Sequence, residues 1–178
     1  MIFVQMTARG KGTIESGFTL ISLLIAMLLM VVVLIMAQTL FSFALKSYHT
    51  SADRIEVQEN LRLGLDRLSR ELRHSLGDVA INNSGSGKLS FSAVNNTSAS
   101  VNNLITYRIG FSGDSERAPQ LLRSVNGAGN NPIARYVTRL RVEPMSSAPN
   151  NHTYRLTITG SKGNSGELSL STAVTIHD

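Results

Sequence analysis

Apolar and polar positions fall into three regimes along the chain. From Gly17 to Leu45, GFTLISLLIAMLLMVVVLIMAQTLFSFAL, apolar residues run almost unbroken, with no charge, no proline and no glycine after Gly17. About twenty such residues are enough to cross a bilayer. A core helix of a globular domain rarely stays uncharged this long, because one of its faces meets water. The pattern therefore predicts a membrane-embedded helix. From Lys46 to Leu76 the pattern becomes amphipathic. Leu61, Leu65, Leu68, Leu72 and Leu76 recur at spacings of four and three and share one helix face. Asp66 with Arg70 and Arg67 with Glu71 are opposite charges one turn apart on the wet side. Gly64 is a mild weak point, costing ~1 kcal/mol relative to alanine, and Gly77-Asp78 is the expected stop. Phe18 to Leu76 then forms one helix ~90 Å long. Its first half crosses the membrane and its second lays a leucine stripe on a domain. A coiled coil is the alternative for the second half, but the repeat is short for one.

The third regime has period two. Ile81 to Asn103 is rich in Asn, Ser and Gly and reads as a break, with a short strand at Leu89, Phe91 and Ala93. Ile105, Tyr107, Ile109 and Phe111 alternate with polar residues, and a weaker strand covers Gln120 to Val125. Asn126 to Pro132 reads as a loop. Tyr136, Thr138, Leu140 and Val142 form one strand face, Pro144 to Asn151 another loop, and Tyr154, Leu156 and Ile158 a further face. Gly160 to Gly166 is a hairpin connection, and Leu168, Leu170, Val174 and Ile176 mark the last strand. Strands and turn-rich loops after one long helix predict an α+β domain, its largely antiparallel sheet packed by one face on the leucine stripe.

Composition narrows the picture. The 178 residues contain no cysteine, which excludes disulfides, thiolate metal sites and cysteine nucleophiles. Outside the apolar run there is material for one modest domain. The net charge of +5 is spread along the chain, so a solvated surface is the expected reading and nucleic acid is not an expected partner. Arg139, Arg141 and Arg155 could meet an acidic partner, but edge-strand charges that discourage aggregation account for them as well. Arg9 and Lys11 precede the apolar run, and the larger domain follows it. This places the N-terminus in the cytoplasm and the C-terminal domain outside. The run is too long for a cleaved secretory signal, and no small-residue cleavage site closes it.

Ser16-Gly17-Phe18-Thr19-Leu20-Ile21, set directly before this helix, resembles the processing motif of prepilins, the precursors of type IV pilins and of the pseudopilins of type II secretion. The resemblance implies cleavage between Gly17 and Phe18 by a prepilin peptidase, which also methylates the new amine of Phe18. It divides the chain into a leader (1–17), a transmembrane and assembly half-helix (18–45), an outer half-helix (46–77) and a β-sheet domain (78–178). One departure matters. The family usually carries glutamate at the fifth mature position, and Ser22 stands there. A carboxylate at that position offsets the desolvation of a neighbour's N-terminal ammonium; a serine offers a hydrogen bond and no charge. Within the family the chain is most similar to J-type minor pseudopilins and W-type minor pilins. The cues are Gln58-Glu59-Asn60, Leu65-Asp66-Arg67-Leu68, Arg70-Glu71-Leu72-Arg73 and Leu170-Ser171-Thr172-Ala173-Val174. The resemblance spans nearly the whole chain, with its specific part in the first third.

It implies a pilin-like fold and a structural role: a minor subunit at or near the tip of a fibre. The implied partners are prepilin peptidase, other major and minor subunits, an inner-membrane assembly platform and the lipid bilayer. A membrane-tethered binding module that does not polymerise is the alternative. No catalytic, cofactor or metal site is expected. His49, His74, His152 and His177 lie at no metal-ligand spacing. Gly85-Ser86-Gly87-Lys88 fails as a phosphate loop, because Asn82 stands where a glycine is needed and Leu89 where a hydroxyl would hold magnesium. Some pseudopilins bind calcium, but Asp and Glu are too sparse here to predict such a site.

Overall fold

The computed structural model describes residues 20–93, 102–113, 116–148 and 151–176. Gly17 and Phe18 lie outside them. The chain divides into two compact units, Met1–Leu45 and Lys46–Asp178. A single helix, α1 (Leu20–Arg73), contributes residues to both.

In the second unit α1 is followed by eight strands: β1 (Ser75–Asn82), β2 (Lys88–Ala93), β3 (Asn103–Phe111), β4 (Pro119–Val125), β5 (Ala128–Arg135), β6 (Val137–Ala148), β7 (Asn151–Gly160) and β8 (Leu168–Ile176). They form two sheets, β1-β2-β3-β4-β5 and β6-β7-β8, each a meander. Every pairing is antiparallel. The expected α+β architecture is therefore present, with its strands shared between two sheets.

One core serves the helix and both sheets. Val57, Leu61, Leu65, Leu68 and Leu72 of α1 meet Leu89, Phe91, Ile105, Tyr107, Leu121 and Ala134 of the larger sheet. Val137, Leu140, Val142, Leu156, Ile158, Val174 and Ile176 of the smaller sheet complete it. Gly64 is more than a weak point of the helix. A Cβ there would sit 3.0 Å from Ala134 Cβ and 3.4 Å from Leu121 Cδ2, so the missing side chain lets α1 approach β4 and β5 closely.

The helix ends earlier than its leucine spacing suggests. It stops at Arg73, with Arg70 and Arg73 in the last turn, where cations complement the carbonyl end. The chain then enters β1 directly, pairing Ser75 with Ala93. Leu76 thus belongs to a strand rather than the stripe and is 45% exposed. Ser75 takes the inward position beside it, and Gly77, at φ 85°, sits within the register shift between Ser75 and Val79.

Two expected loops are mostly strand. Asn126 and Gly127, at φ 52° and 75°, make a two-residue hairpin turn. The Asn126 side chain ties the turn to β3, accepting the Leu104 N–H at 2.8 Å. β5 begins immediately after the turn. Its outer positions are exposed and only Ala134 is buried, so it carries no period-two signal. It tolerates Pro132 because it is an edge strand. Likewise β6 continues past Pro144 to Ala148, with a register shift between Pro144 and Ser146, and it too lies at an edge.

Tyr136 carries the chain from one sheet to the other. It is the one residue between β5 and β6, and it sits in the left-handed region at φ 61°. Its carbonyl accepts the Ser161 N–H at 3.0 Å. A Cβ on Gly160 would overlap that oxygen, so glycine is required there by space.

Candidate functional site

The apolar part of α1 has no burying surface of its own. Leu20, Leu28, Met30, Val33, Leu40, Phe41 and Phe43 are all more than half exposed, and so are most of their neighbours. Apolar side chains surround this helix, so no single face can be turned to a core. Fully burying one such side chain is worth about 1.5–3 kcal/mol, so the segment has a strong preference for a non-aqueous surrounding. It is one helix, near the N-terminus, long and apolar enough to cross a membrane. Two of its polar side chains are satisfied within the helix. Thr39 Oγ1 donates to the Met36 carbonyl at 2.7 Å, and Ser42 Oγ to the Gln38 carbonyl at 2.9 Å. Such back-bonding lets hydroxyls persist where no water is available. Ser22 lies on this segment, half-buried. No carboxylate occurs between Leu20 and Leu45. Gly17 and Phe18 fall outside the described residues.

The second unit holds its stretch of α1 by polar clamps, of which only the Arg67–Glu71 pair follows from local spacing. Lys162, in the connection between β7 and β8, reaches Asp53 at 3.0 Å and Glu56 at 2.5 Å. Those carboxylates hold its ammonium protonated above the ordinary lysine range. Lys162 also lies 5.2 Å from the centre of the Tyr136 ring, with Arg135 at 5.5 Å. Asn60 accepts the Arg135 backbone N–H at 3.0 Å and donates to the Glu56 carbonyl at 2.9 Å. Glu71 bridges Arg123 of β4 at 2.8 Å and Arg67 at 3.4 Å. Behind that bridge, Tyr107 is fully buried, and its hydroxyl lies beside Glu71 and Arg123 without a well-formed hydrogen bond to any described residue. Burial, reinforced by the Glu71 carboxylate, raises its pKa well above the ordinary tyrosine value.

Arg139 and Arg141 are exposed on β6, and Arg141 pairs with Glu143 at 2.9 Å. Arg155 stands opposite Glu143 in the neighbouring strand. The basic strand face is thus partly neutralised by its own glutamate. Gly85 and Gly87 belong to the β1–β2 connection, which packs on β6, and the Leu140 N–H donates to the Ser86 carbonyl at 2.8 Å. A Cβ on Gly87 would overlap the Leu140 carbonyl, so this glycine serves packing. Among the described residues, no group of three or more His, Asp or Glu is placed to hold a metal ion.

No protein-family model, no curated protein and no solved structure matches this chain.

Proposed function

We propose that the chain is the precursor of a minor pilin or pseudopilin, a structural subunit of a type IV pilus or a type II secretion pseudopilus. The observation that carries this reading is one α-helix, Leu20–Arg73, that is uncharged and exposed up to Leu45 and supplies the core stripe of an antiparallel domain from Val57 on. The motif at Gly17-Phe18 supports the same reading. In it, prepilin peptidase cuts between Gly17 and Phe18 and methylates Phe18. The subunit first rests in the inner membrane as a single span, N-terminus in the cytoplasm. It is then drawn into a fibre, where its apolar helix exchanges lipid for the helices of neighbouring subunits. That exchange has little hydrophobic driving force, because lipid tails are already apolar. An inner-membrane assembly platform therefore has to power it.

Ser22 supports a minor rather than a bulk role. A subunit that cannot neutralise the amine of a neighbour with a carboxylate fits a place at or near the tip. The same residue favours the second reading, a membrane-tethered binding module that never polymerises. Mass spectrometry of the mature N-terminus separates them. Expressed with an active prepilin peptidase, the protein is expected to begin at methylated Phe18. An intact Met1 under those conditions overturns the pilin reading in favour of the tether.

A further inference from the structure

The four outer edges of the two sheets are not alike. The β1 edge is broken by a register shift at Gly77 and carries Asp78. The β5 edge carries Pro132 and two register shifts. The β6 edge is covered by the β1–β2 connection. There, Asn83 Nδ2 donates to the Val142 carbonyl at 2.8 Å, its Oδ1 accepts the Val142 N–H at 3.0 Å, and Ser86 takes the Leu140 N–H. These are the ordinary devices that keep an edge from recruiting another strand. β8 has none of them. Leu168–Ile176, LSLSTAVTI, contains no charge, proline or glycine. It pairs with β7 from end to end without a shift, and no described strand pairs with its other side. Its inward row is unfinished as well: Val174 and Ile176 are buried, but Leu168, Leu170 and Thr172 are only half-buried.

The sequence of this edge names its partner. Read backwards, the strand repeats its own chemistry about Thr172. In an antiparallel pair centred there, Leu168 faces Ile176, Leu170 faces Val174 and Thr172 faces Thr172. On the other face, Ser169 meets Thr175 and Ser171 meets Ala173. Every inward pair outside the centre is aliphatic, and the outward ones are small or hydroxylic. Hydroxyl pairs of this kind already join β7 to β8, with Thr153 to Thr175 at 3.1 Å and Thr159 to Ser169 at 2.9 Å. We propose that β8 pairs antiparallel with β8 of a second copy of this chain, in the register centred on Thr172, so that two small sheets become one. The contact is isologous, the same strand on both sides of a two-fold axis. It extends the sheet over the half-covered Leu168 and Leu170. It requires neither processing at Gly17 nor a fibre.

The absence of cysteine makes the test direct. In this register the two Cα atoms of residue 172 are roughly 4.5–5.5 Å apart, within disulfide range. The two copies of residue 169 are roughly 20 Å apart, six strand positions at 3.3 Å each. The full chain is purified in detergent as single variants and oxidised mildly. Thr172→Cys is expected to give several-fold more covalent dimer than Ser169→Cys, which reports collisions and contacts through the apolar helix alone. A mixture of Ser169→Cys and Thr175→Cys copies is expected to cross-link more than either variant by itself. Adding Thr172→Lys to both members of that mixture sets two ammonium groups opposite each other and should abolish the excess. The proposal is overturned if Thr172→Cys dimerises no better than Ser169→Cys. It is equally overturned if the mixed pair shows no excess, or if the excess survives Thr172→Lys.

Discussion

Tyr107 is the residue whose chemistry and position disagree most. Its ring stacks beside Phe91 in the core, centroids 6.2 Å apart, while its hydroxyl is enclosed beside Glu71 and Arg123 without a well-formed hydrogen bond to any described residue. A buried, unsatisfied hydroxyl costs about 1–3 kcal/mol. Tyr107→Phe keeps the ring and removes the polar atom, so the variant is expected to unfold at a higher temperature than the parent in thermal melts. A drop would mean that the hydroxyl is in fact satisfied. The same group shapes the alkaline limb of the stability curve. Its folded pKa is raised above the ordinary 10.0, so from about pH 10 upward the unfolded chain releases a proton that the folded chain keeps. Lys162 behaves alike from its ordinary 10.5, because Glu56 and Asp53 raise its folded value. Both contributions are complete below the unfolded pKa and are lost as pH rises through the folded one. Chemical denaturation at stepped pH should therefore show stability flat in the share due to these groups up to about pH 10 and falling above it. In Tyr107→Phe the fall should begin later, leaving the Lys162 share.

At the scale of elements, α1 in the second unit is a helix with two unlike sides, and the difference is measurable. Leu68 is fully buried and Leu63 is 58% exposed. Leu68→Ala is expected to lose about 2–5 kcal/mol, the usual range for a large-to-small core change, and Leu63→Ala to stay within about 0.5 kcal/mol of the parent. Comparable losses in denaturant titration would place the core elsewhere. The buried side of this helix is legible in the sequence because a 3.6-residue period repeats over several turns. The chain beyond Arg73 is harder to read. Leu76 extends the spacing by coincidence, and only the pairing of Ser75 with Ala93 reveals that it lies in a strand. β5 escapes because an edge strand with one buried residue has no alternation to read. Its one local signal is the Asn126-Gly127 pair, a dipeptide suited to a two-residue hairpin turn. Of the candidate site, the apolar segment is plain because hydropathy is a local property. The clamps at Lys162, Asn60 and Glu71 are not, because each joins residues far apart in sequence whose meeting no spacing rule encodes.

At the scale of the molecule, the two units answer to different solvents, and the consequences can be separated. Every residue of the main core lies at or beyond Val57, and the unit that contains it begins at Lys46. A chain starting at Lys46 is therefore expected to be soluble and to unfold cooperatively, as a single core should. Non-cooperative melting would show that the domain needs the apolar segment to fold. The full chain is expected to remain with the membrane fraction after alkaline extraction, since nothing among the described residues buries Leu20 to Leu45. On the proposed pilin reading, Ser22 bears on what that segment does beyond anchoring. In a packed array of such helices, an N-terminal ammonium leaves water at a penalty of several kcal/mol unless a carboxylate meets it. Ser22→Glu supplies one, on the pilin reading, in the position where the family has it. The variant is expected to enter fibres more abundantly than the parent, counted by immunogold labelling along their length. Parent protein already as abundant as the major subunit would refute the minor role assigned to Ser22. Equal exclusion of both from fibres, with Met1 retained, would leave the tethered module as the reading that stands.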